Sequence, residues 1–165
     1  MGARNLMSHA ITVDDLPPSF AEFVRGQGRA RGLDDPLPAV THGLRTDEET
    51  MNRESRGGPT SDRYVVEMLL TPDLLIVAHR QSDDAETDPG ARVRFHRLEQ
   101  LEVATDTGSA KAATARLAMP AKSIPVTSTP LGGMKRATYQ LPIAIDPDVQ
   151  RFRDALVAAV DAARA

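Results

Sequence analysis

The chain has 165 residues, of which 41% are hydrophobic and 26% charged, and its formal net charge is −3 at pH 7. This length and hydrophobicity allow one folded domain with a buried core, whereas the net negative charge argues against a protein that binds the phosphate backbone of nucleic acid. The absence of cysteine excludes disulfides, thiolate nucleophiles and cysteine-ligated metal centres. No segment contains the run of about 18 apolar residues that a transmembrane helix needs, and none resembles a signal peptide, so we expect a cytoplasmic protein.

Residues 1–37 are expected to be an N-terminal extension, mostly loop, with one short helix. The segment from Pro18 to Arg25 suits this helix, because proline is favoured in the first helical turn and Gly26 would end it. Three apolar side chains would share one face of the helix: Phe20, Phe23 and Val24. We predict this face as a partner-binding surface, and its alternative is docking on the chain's own sheet.

Residues 38–165 are predicted to form the main domain, and its clearest feature is RYVVEMLLTPDLLIVAHR at residues 63–80. Two apolar runs flank Thr71-Pro72-Asp73, a combination typical of a turn, which predicts a hairpin in which Pro72 fixes φ and Asp73 bonds its own backbone. Even-numbered side chains from Tyr64 to Leu70 fall on one face of the first strand, and Val65 and Leu69 fall on the other. The pattern therefore predicts a strand that is partly covered on both faces.

The remaining domain is predicted to consist of short strands and one final helix. The expected strands are residues 38–44, two short strands within 92–105, and residues 115–119, 122–127 and 137–145. Residues 46–62 are expected to be a long polar loop. Asp146 can cap a helix that begins at Pro147 and has apolar side chains at helical spacing. Because no helix separates the strands, parallel βαβ units are excluded, and the predicted fold is mainly β (α+β), an antiparallel sheet or partly open barrel closed by the C-terminal amphipathic helix.

The order of these elements resembles that of bacterial PH-like (pleckstrin homology-like) domains. The segments that carry the resemblance are LTPDLLI at residues 70–76, LEQLEV at 98–103, and Phe152 and Leu156 in the closing helix. The likeness covers about residues 38–165 and implies a bent antiparallel barrel that the C-terminal helix plugs at one end. Eukaryotic PH domains often carry a tryptophan in that helix; this chain has none, and Phe152 is the nearest substitute.

Members of the group that bind phosphoinositides carry a cation cluster across their first two strands. The corresponding candidates for a lipid or anion site here are Arg45, Arg53, Arg56 and Arg63. Acidic residues such as Asp47 and Glu54 are interspersed among them and weaken the local positive potential. Phosphoinositide binding is therefore not expected, and peripheral binding to an anionic membrane is retained as an alternative function.

Two histidines are the candidates for site chemistry. His79 and His96 are predicted on neighbouring strands and could line a pocket at the mouth of the barrel, where they would bind a metal or a small ligand or serve an enzyme. Two histidines without a close-spaced motif equally describe side chains at strand ends, so no metal, cofactor or catalytic residue is predicted. The expected function is a non-catalytic binding or scaffold module that recognises a protein partner or self-associates through a sheet edge or loop face.

Overall fold

The computed structural model of the chain describes residues 3–52, 60–103, 123–144 and 146–165. Two α-helices and eight β-strands form this described part: β1 Ala3–Ile11, α1 Pro18–Ala30, β2 His42–Asn52, β3 Thr60–Leu70, β4 Leu74–Arg80, β5 Arg92–Arg97, β6 Glu102–Val103, β7 Ser123–Ser128, β8 Ala137–Pro142 and α2 Pro147–Arg164. The strands form two antiparallel sheets, one in the order β1-β2-β3-β4-β5 and the other in the order β6-β7-β8. The prediction of a mainly β chain with antiparallel strands and a C-terminal helix is confirmed. Over the described ranges the two sheets stay separate and no closed barrel is found.

The five-stranded sheet is covered on both faces, as the alternation in residues 63–70 predicts. Its inner face, which includes Val66 and Met68 of β3, packs against the three-stranded sheet and α2. Its outer face, which includes Leu69 and Ile76, packs against α1. Because side chains alternate along a strand, the same strands supply both hydrophobic cores.

The C-terminal helix forms as predicted from its capping residues. The Asp146 carboxylate accepts a hydrogen bond from the backbone N–H of Asp148 at 2.8 Å, and Pro147 occupies the first turn, where its missing N–H costs nothing. The buried side chains of α2 recur at helical spacing: Val149, Phe152, Leu156 and Val160. This single apolar stripe packs on the inner core.

The N-terminal region contains more structure than the sequence predicted. Strand β1 was not predicted, yet it pairs with β2 from Ala3 opposite Met51 to Ile11 opposite Gly43. Most of the predicted polar loop at residues 46–62 is also wrong, because β2 runs to Asn52 and β3 begins at Thr60. These strands were not recognised because their side chains are mostly polar. The sequence therefore lacks the apolar alternation that identifies a half-buried strand.

Helix α1 extends beyond the predicted end at Gly26. Gly28 lies within the helix and is buried against Phe95, and the left-handed conformation that ends a helix occurs at Gly32 (φ +78°). The N–H of Leu33 then donates to the carbonyl of Gly28 at 2.9 Å, which satisfies an open carbonyl at the helix end.

The turn between β3 and β4 is held by a different residue from the one predicted. The Thr71 hydroxyl accepts hydrogen bonds from the N–H groups of Asp73 and Leu74 at 3.2 and 2.9 Å. Thr71 is itself buried, so these bonds satisfy its oxygen while they fix the turn.

A buried ion network lies between the outer face of the sheet and the N-terminal region. Glu67 of β3 is fully buried, and its two carboxylate oxygens accept from Arg80 at 2.6 Å and from Arg45 at 2.8 Å. Arg45 also donates to the backbone carbonyl of Asp15 at 2.6 Å, and the Arg80 guanidinium lies 5.8 Å from the ring centre of Phe20 on α1. The network therefore ties three central strands to the segment that carries α1.

Replacing Glu67 by glutamine tests how much this network contributes to the stability of the fold. Glu67→Gln leaves two guanidinium groups without their shared counter-charge, and loss of one partner of a buried pair costs about 3 kcal/mol or more. We expect a loss of this size in the free energy of unfolding, measured by urea titration.

Glu102→Gln is the matched control, because Glu102 forms an ion pair with Arg136 in which both side chains are largely exposed. Exposed pairs contribute about 0 to 1 kcal/mol, so this variant should unfold almost as wild type does. Equal losses in the two variants would contradict the role assigned to Glu67.

Candidate functional site

The apolar face predicted to bind a partner lies against the chain's own sheet. Phe20 and Val24 are fully buried in the outer core, and Phe23 is partly buried beside them with its ring centre 5.4 Å from that of Phe20. The alternative of intramolecular docking is therefore the arrangement in the structure. A partner could reach Phe20 and Val24 only if α1 left the sheet, and their role as partner-binding residues stays a prediction.

The candidate lipid site loses its local positive charge to neighbouring carboxylates. Arg45 pairs with Glu67, and Arg63 pairs with Asp47 at 2.7 Å. Arg53 and Arg56 lie outside the described residues. The two described cations are engaged in ion pairs, and the expectation that phosphoinositides do not bind stays a prediction.

The two candidate histidines occupy the inner face of the five-stranded sheet but do not meet. His79 of β4 lies opposite Arg92, whereas His96 of β5 lies opposite Leu75, four residues away along the ladder. Within the described ranges, no group of three or more His, Asp or Glu side chains is arranged to hold a metal ion.

Strand β5 instead places three basic side chains in a row on this inner face. Val93 and Phe95 point to the outer core, so the alternate residues Arg92, Arg94 and His96 point inwards. With His79, which lies beside Arg92 on β4, they form what we call the basic row (His79, Arg92, Arg94 and His96).

Tyr139 of β8 holds the middle of the basic row. The Arg94 guanidinium lies 4.7 Å from the centre of the Tyr139 ring, and the His96 ring packs edge-on against the same ring at 5.4 Å. Cation–π contact of this kind fixes the plane of a guanidinium without neutralising its charge. The two sheets are thus joined through a positively charged contact.

The basic row is electrostatically unsatisfied. Burial, together with the charges of Arg92 and Arg94, lowers the pKa of His79 to about 4, and burial and Arg94 lower that of His96 to about 4. Burial also lowers the pKa of Arg94, with a further contribution from Arg92. Nε2 of His79 and both ring nitrogens of His96 are buried without a hydrogen-bond partner. Unpaired buried polar atoms are unusual and point to a missing ligand or a functional constraint.

A pocket of about 340 Å³ opens at the exposed end of the basic row. Its lining comprises Tyr64, Val65, His79, Arg80, Pro89, Gly90, Ala91 and Arg92 and contains no carboxylate. A larger groove of about 540 Å³ lies against α1, but Asp15, Asp83 and Asp84 line it together with the paired arginines. The smaller pocket is therefore the one whose described lining is positively charged.

Sequence reasoning identified both histidines but missed Arg92, Arg94 and Tyr139. The alternation RVRFH at residues 92–96 contained the signal, because it placed Val93 and Phe95 on one face and hence both arginines on the other. Nothing in the sequence indicated that this second face points into the structure towards β8, because that depends on how the two sheets pack.

Searches for similar proteins found no family model, curated protein or solved structure that matches this chain. None of the described helices is long and apolar enough to cross a membrane. The function must therefore be argued from the geometry of the chain itself.

The buried His96 ring predicts a specific dependence of stability on pH. Its folded pKa of about 4 lies below the ordinary value of 6.5, so the unfolded state binds more protons between these two values. The contribution of neutral His96 to stability is complete above about pH 6.5 and is lost as the pH falls towards 4. Leucine has a similar size and does not titrate. When the pH is lowered from 7 to 5, the free energy of unfolding should therefore fall by more in wild type than in His96→Leu.

The measurement is urea unfolding of both proteins at pH 7 and pH 5. Other titrating groups are common to the two chains and cancel in the difference. Parallel loss of stability in both proteins would show that His96 is not held neutral by burial.

Proposed function

We propose that the chain is a non-catalytic binding or scaffold module with a PH-like fold that self-associates through its edge strand. The fold proposal is supported by element order: a four-stranded meander β2–β5, a three-stranded meander β6–β8 and then α2, which is the sequence of elements in PH-like domains. Strand β1 and helix α1 are additions to that order, and they change which edge of the sheet is exposed.

The observation that carries the binding proposal is the open edge of β1. The N–H of Ala10 points away from β2, because it donates to the Asp148 carboxylate at 2.9 Å. By the alternation of an antiparallel ladder, the backbone groups of Ser8 and Leu6 point to the same side. No described residue provides a hydrogen-bond partner for the outward backbone groups of Leu6.

The segment from Asn5 to Met7 of this edge lacks the features by which proteins usually block strand addition. Asn5, Leu6 and Met7 carry no charge, and the side chain of Met7 is 65% exposed. Edge strands are normally protected by lysine, proline, bulges or a covering element. Among the described residues, the start of α2 and Ala144, whose N–H donates to the Ser8 hydroxyl at 2.9 Å, cover the C-terminal end of β1.

A second copy of the chain suits the free part of the edge. Antiparallel pairing about Asn5 would place Asn5 against its own copy and Met7 against Ala3, with no like charges opposed. Two five-stranded sheets would then join into one continuous sheet, with backbone hydrogen bonds supplying the affinity. The pairing leaves the covered region from Ser8 to Ala10 outside the contact.

Light scattering coupled to size-exclusion chromatography tests self-association. Wild type should elute as a dimer, and Leu6→Pro should be a monomer, because proline removes an outward N–H that is not needed for pairing with β2. Leu6→Ala keeps the N–H and is the matched control, which should remain dimeric.

Met7→Lys provides a second variant in case proline disturbs the strand, since an exposed lysine on an edge opposes strand addition without removing a backbone donor. Circular dichroism verifies that each variant is folded. A monomeric wild type, or dimers of equal stability in all four proteins, would overturn the proposal.

A further inference from the structure

Arg92 and Arg94 occupy successive inward positions of β5 and have no acidic partner among the described residues. Six other described arginines form an ion pair with a carboxylate: Arg25, Arg45, Arg63, Arg80, Arg136 and Arg151. Within the described residues, Arg92 and Arg94 form none, and the aromatic contact of Arg94 leaves its charge in place. Two neighbouring guanidinium groups repel each other, so an arrangement of this kind is stabilised by a bound anion.

We propose that the pocket at the end of the basic row is a binding site for a phosphate group, in which Arg92 and His79 contact the anion. This site is independent of the open edge of β1 and lies at the opposite edge of the five-stranded sheet. The proposal corresponds to one of the alternative functions expected from the sequence, the binding of a small ligand near the histidines.

Each residue has a distinct part in the site. Arg92 is exposed at the pocket and presents a planar fork of donors that matches two phosphate oxygens. His79 lines the pocket, and its Nε2 atom is buried in the unliganded chain without a hydrogen-bond partner. This atom donates to the anion once it carries a proton and the ring turns towards the pocket. Tyr64 lines the same pocket from β3, so the lining residues that carry donors come from three neighbouring strands.

Arg94 contributes to phosphate binding through its electrostatic field and does not contact the anion. It lies one inward position further along β5 than Arg92 and is held against Tyr139. Its positive charge raises the electrostatic potential at the pocket, and the contact with Tyr139 keeps that charge in place. The other arginine of the lining, Arg80, is already bound to Glu67 and Asp83, both at 2.6 Å.

The geometry favours phosphate over a carboxylate. The lining residues that carry donors lie on three strands. A phosphate group offers tetrahedrally arranged oxygens to donors on several sides, whereas a carboxylate offers two oxygens in one plane. A dianion also compensates two neighbouring guanidinium groups better than a monoanion does. The volume of about 340 Å³ admits a small phosphorylated molecule.

An NMR titration of the full chain with inorganic phosphate tests the site. Saturable shifts are expected for the backbone amides of Val65, Gly90, Ala91 and Arg92, which line the pocket, and for the ring protons of His79. Sodium chloride at equal ionic strength is the reference, because general screening acts on the whole surface. Identical shifts in phosphate and chloride would overturn the proposal.

Paired arginine variants distinguish the site from a general effect of charge. Arg92→Gln should weaken phosphate binding by about tenfold or more, equivalent to about 1.4 kcal/mol. Arg97→Gln is the control: it lies at the other end of β5, is exposed and changes the net charge by the same amount. Equal weakening in the two variants, with both shown to be folded by thermal melting, would overturn the site.

Repeating the titration with glycerol phosphate, and then with vesicles that contain phosphatidic acid, distinguishes the source of the phosphate group. Shifts of the pocket amides by the soluble ester support a metabolite as the ligand. Shifts by the vesicles alone support a lipid headgroup. Failure of every phosphate probe would overturn the proposal, and none of these outcomes depends on whether the chain dimerises.

Discussion

The structure depends on one buried carboxylate, Glu67, at the centre of the five-stranded sheet. A fully buried glutamate is costly unless its charge is neutralised, and both of its oxygens are engaged by arginines on the two adjacent strands. Those arginines also contact the segment before α1 and the Phe20 ring. The carboxylate therefore fixes which element covers the outer face, and in doing so makes the N-terminal region part of the fold.

Covering the outer face has consequences for where function can lie. The central part of the inner face already packs on the second sheet and α2, so the centre of the large sheet is covered on both faces. What remains are its two lateral edges and the ends of its strands. The open edge of β1 and the positively charged pocket beside β4 and β5 occupy these places, and each supports one of the two functional proposals.

The parts of the fold that follow local rules were predictable from the sequence. Helix α2 was predicted because its cap and apolar stripe are both local, and the hairpin of β3 and β4 was predicted because two apolar runs flank a turn. Strand β1 was missed, and β2 was predicted only at its first three residues, as the end of the strand expected at residues 38–44. The alternation in both strands is polar, and the pairing that stabilises them is remote in sequence. Glu67 itself resembled an ordinary polar position in an apolar strand.

The candidate site shows the same division. His79 and His96 were identified from residue type alone, but the arginines between them acquire significance only from the packing of β8 on β5. The predicted partner surface around Phe20 was correctly seen as apolar, whereas the surface that covers it could not be derived from α1. The sequence pattern shows that an apolar face must be covered, whereas the element that covers it is determined by the tertiary structure.

The central claim is that α1 is locked to the sheet as one cooperative unit, and native-state hydrogen exchange tests it most directly. Amides in the middle of α1 and amides of β3 and β4 should exchange with the same free energy of opening, equal to that of global unfolding, because Glu67 and Phe20 join the two elements. Exchange from α1 by a separate opening of lower free energy would contradict the claim, since it would show that the helix leaves the sheet while the sheet stays folded.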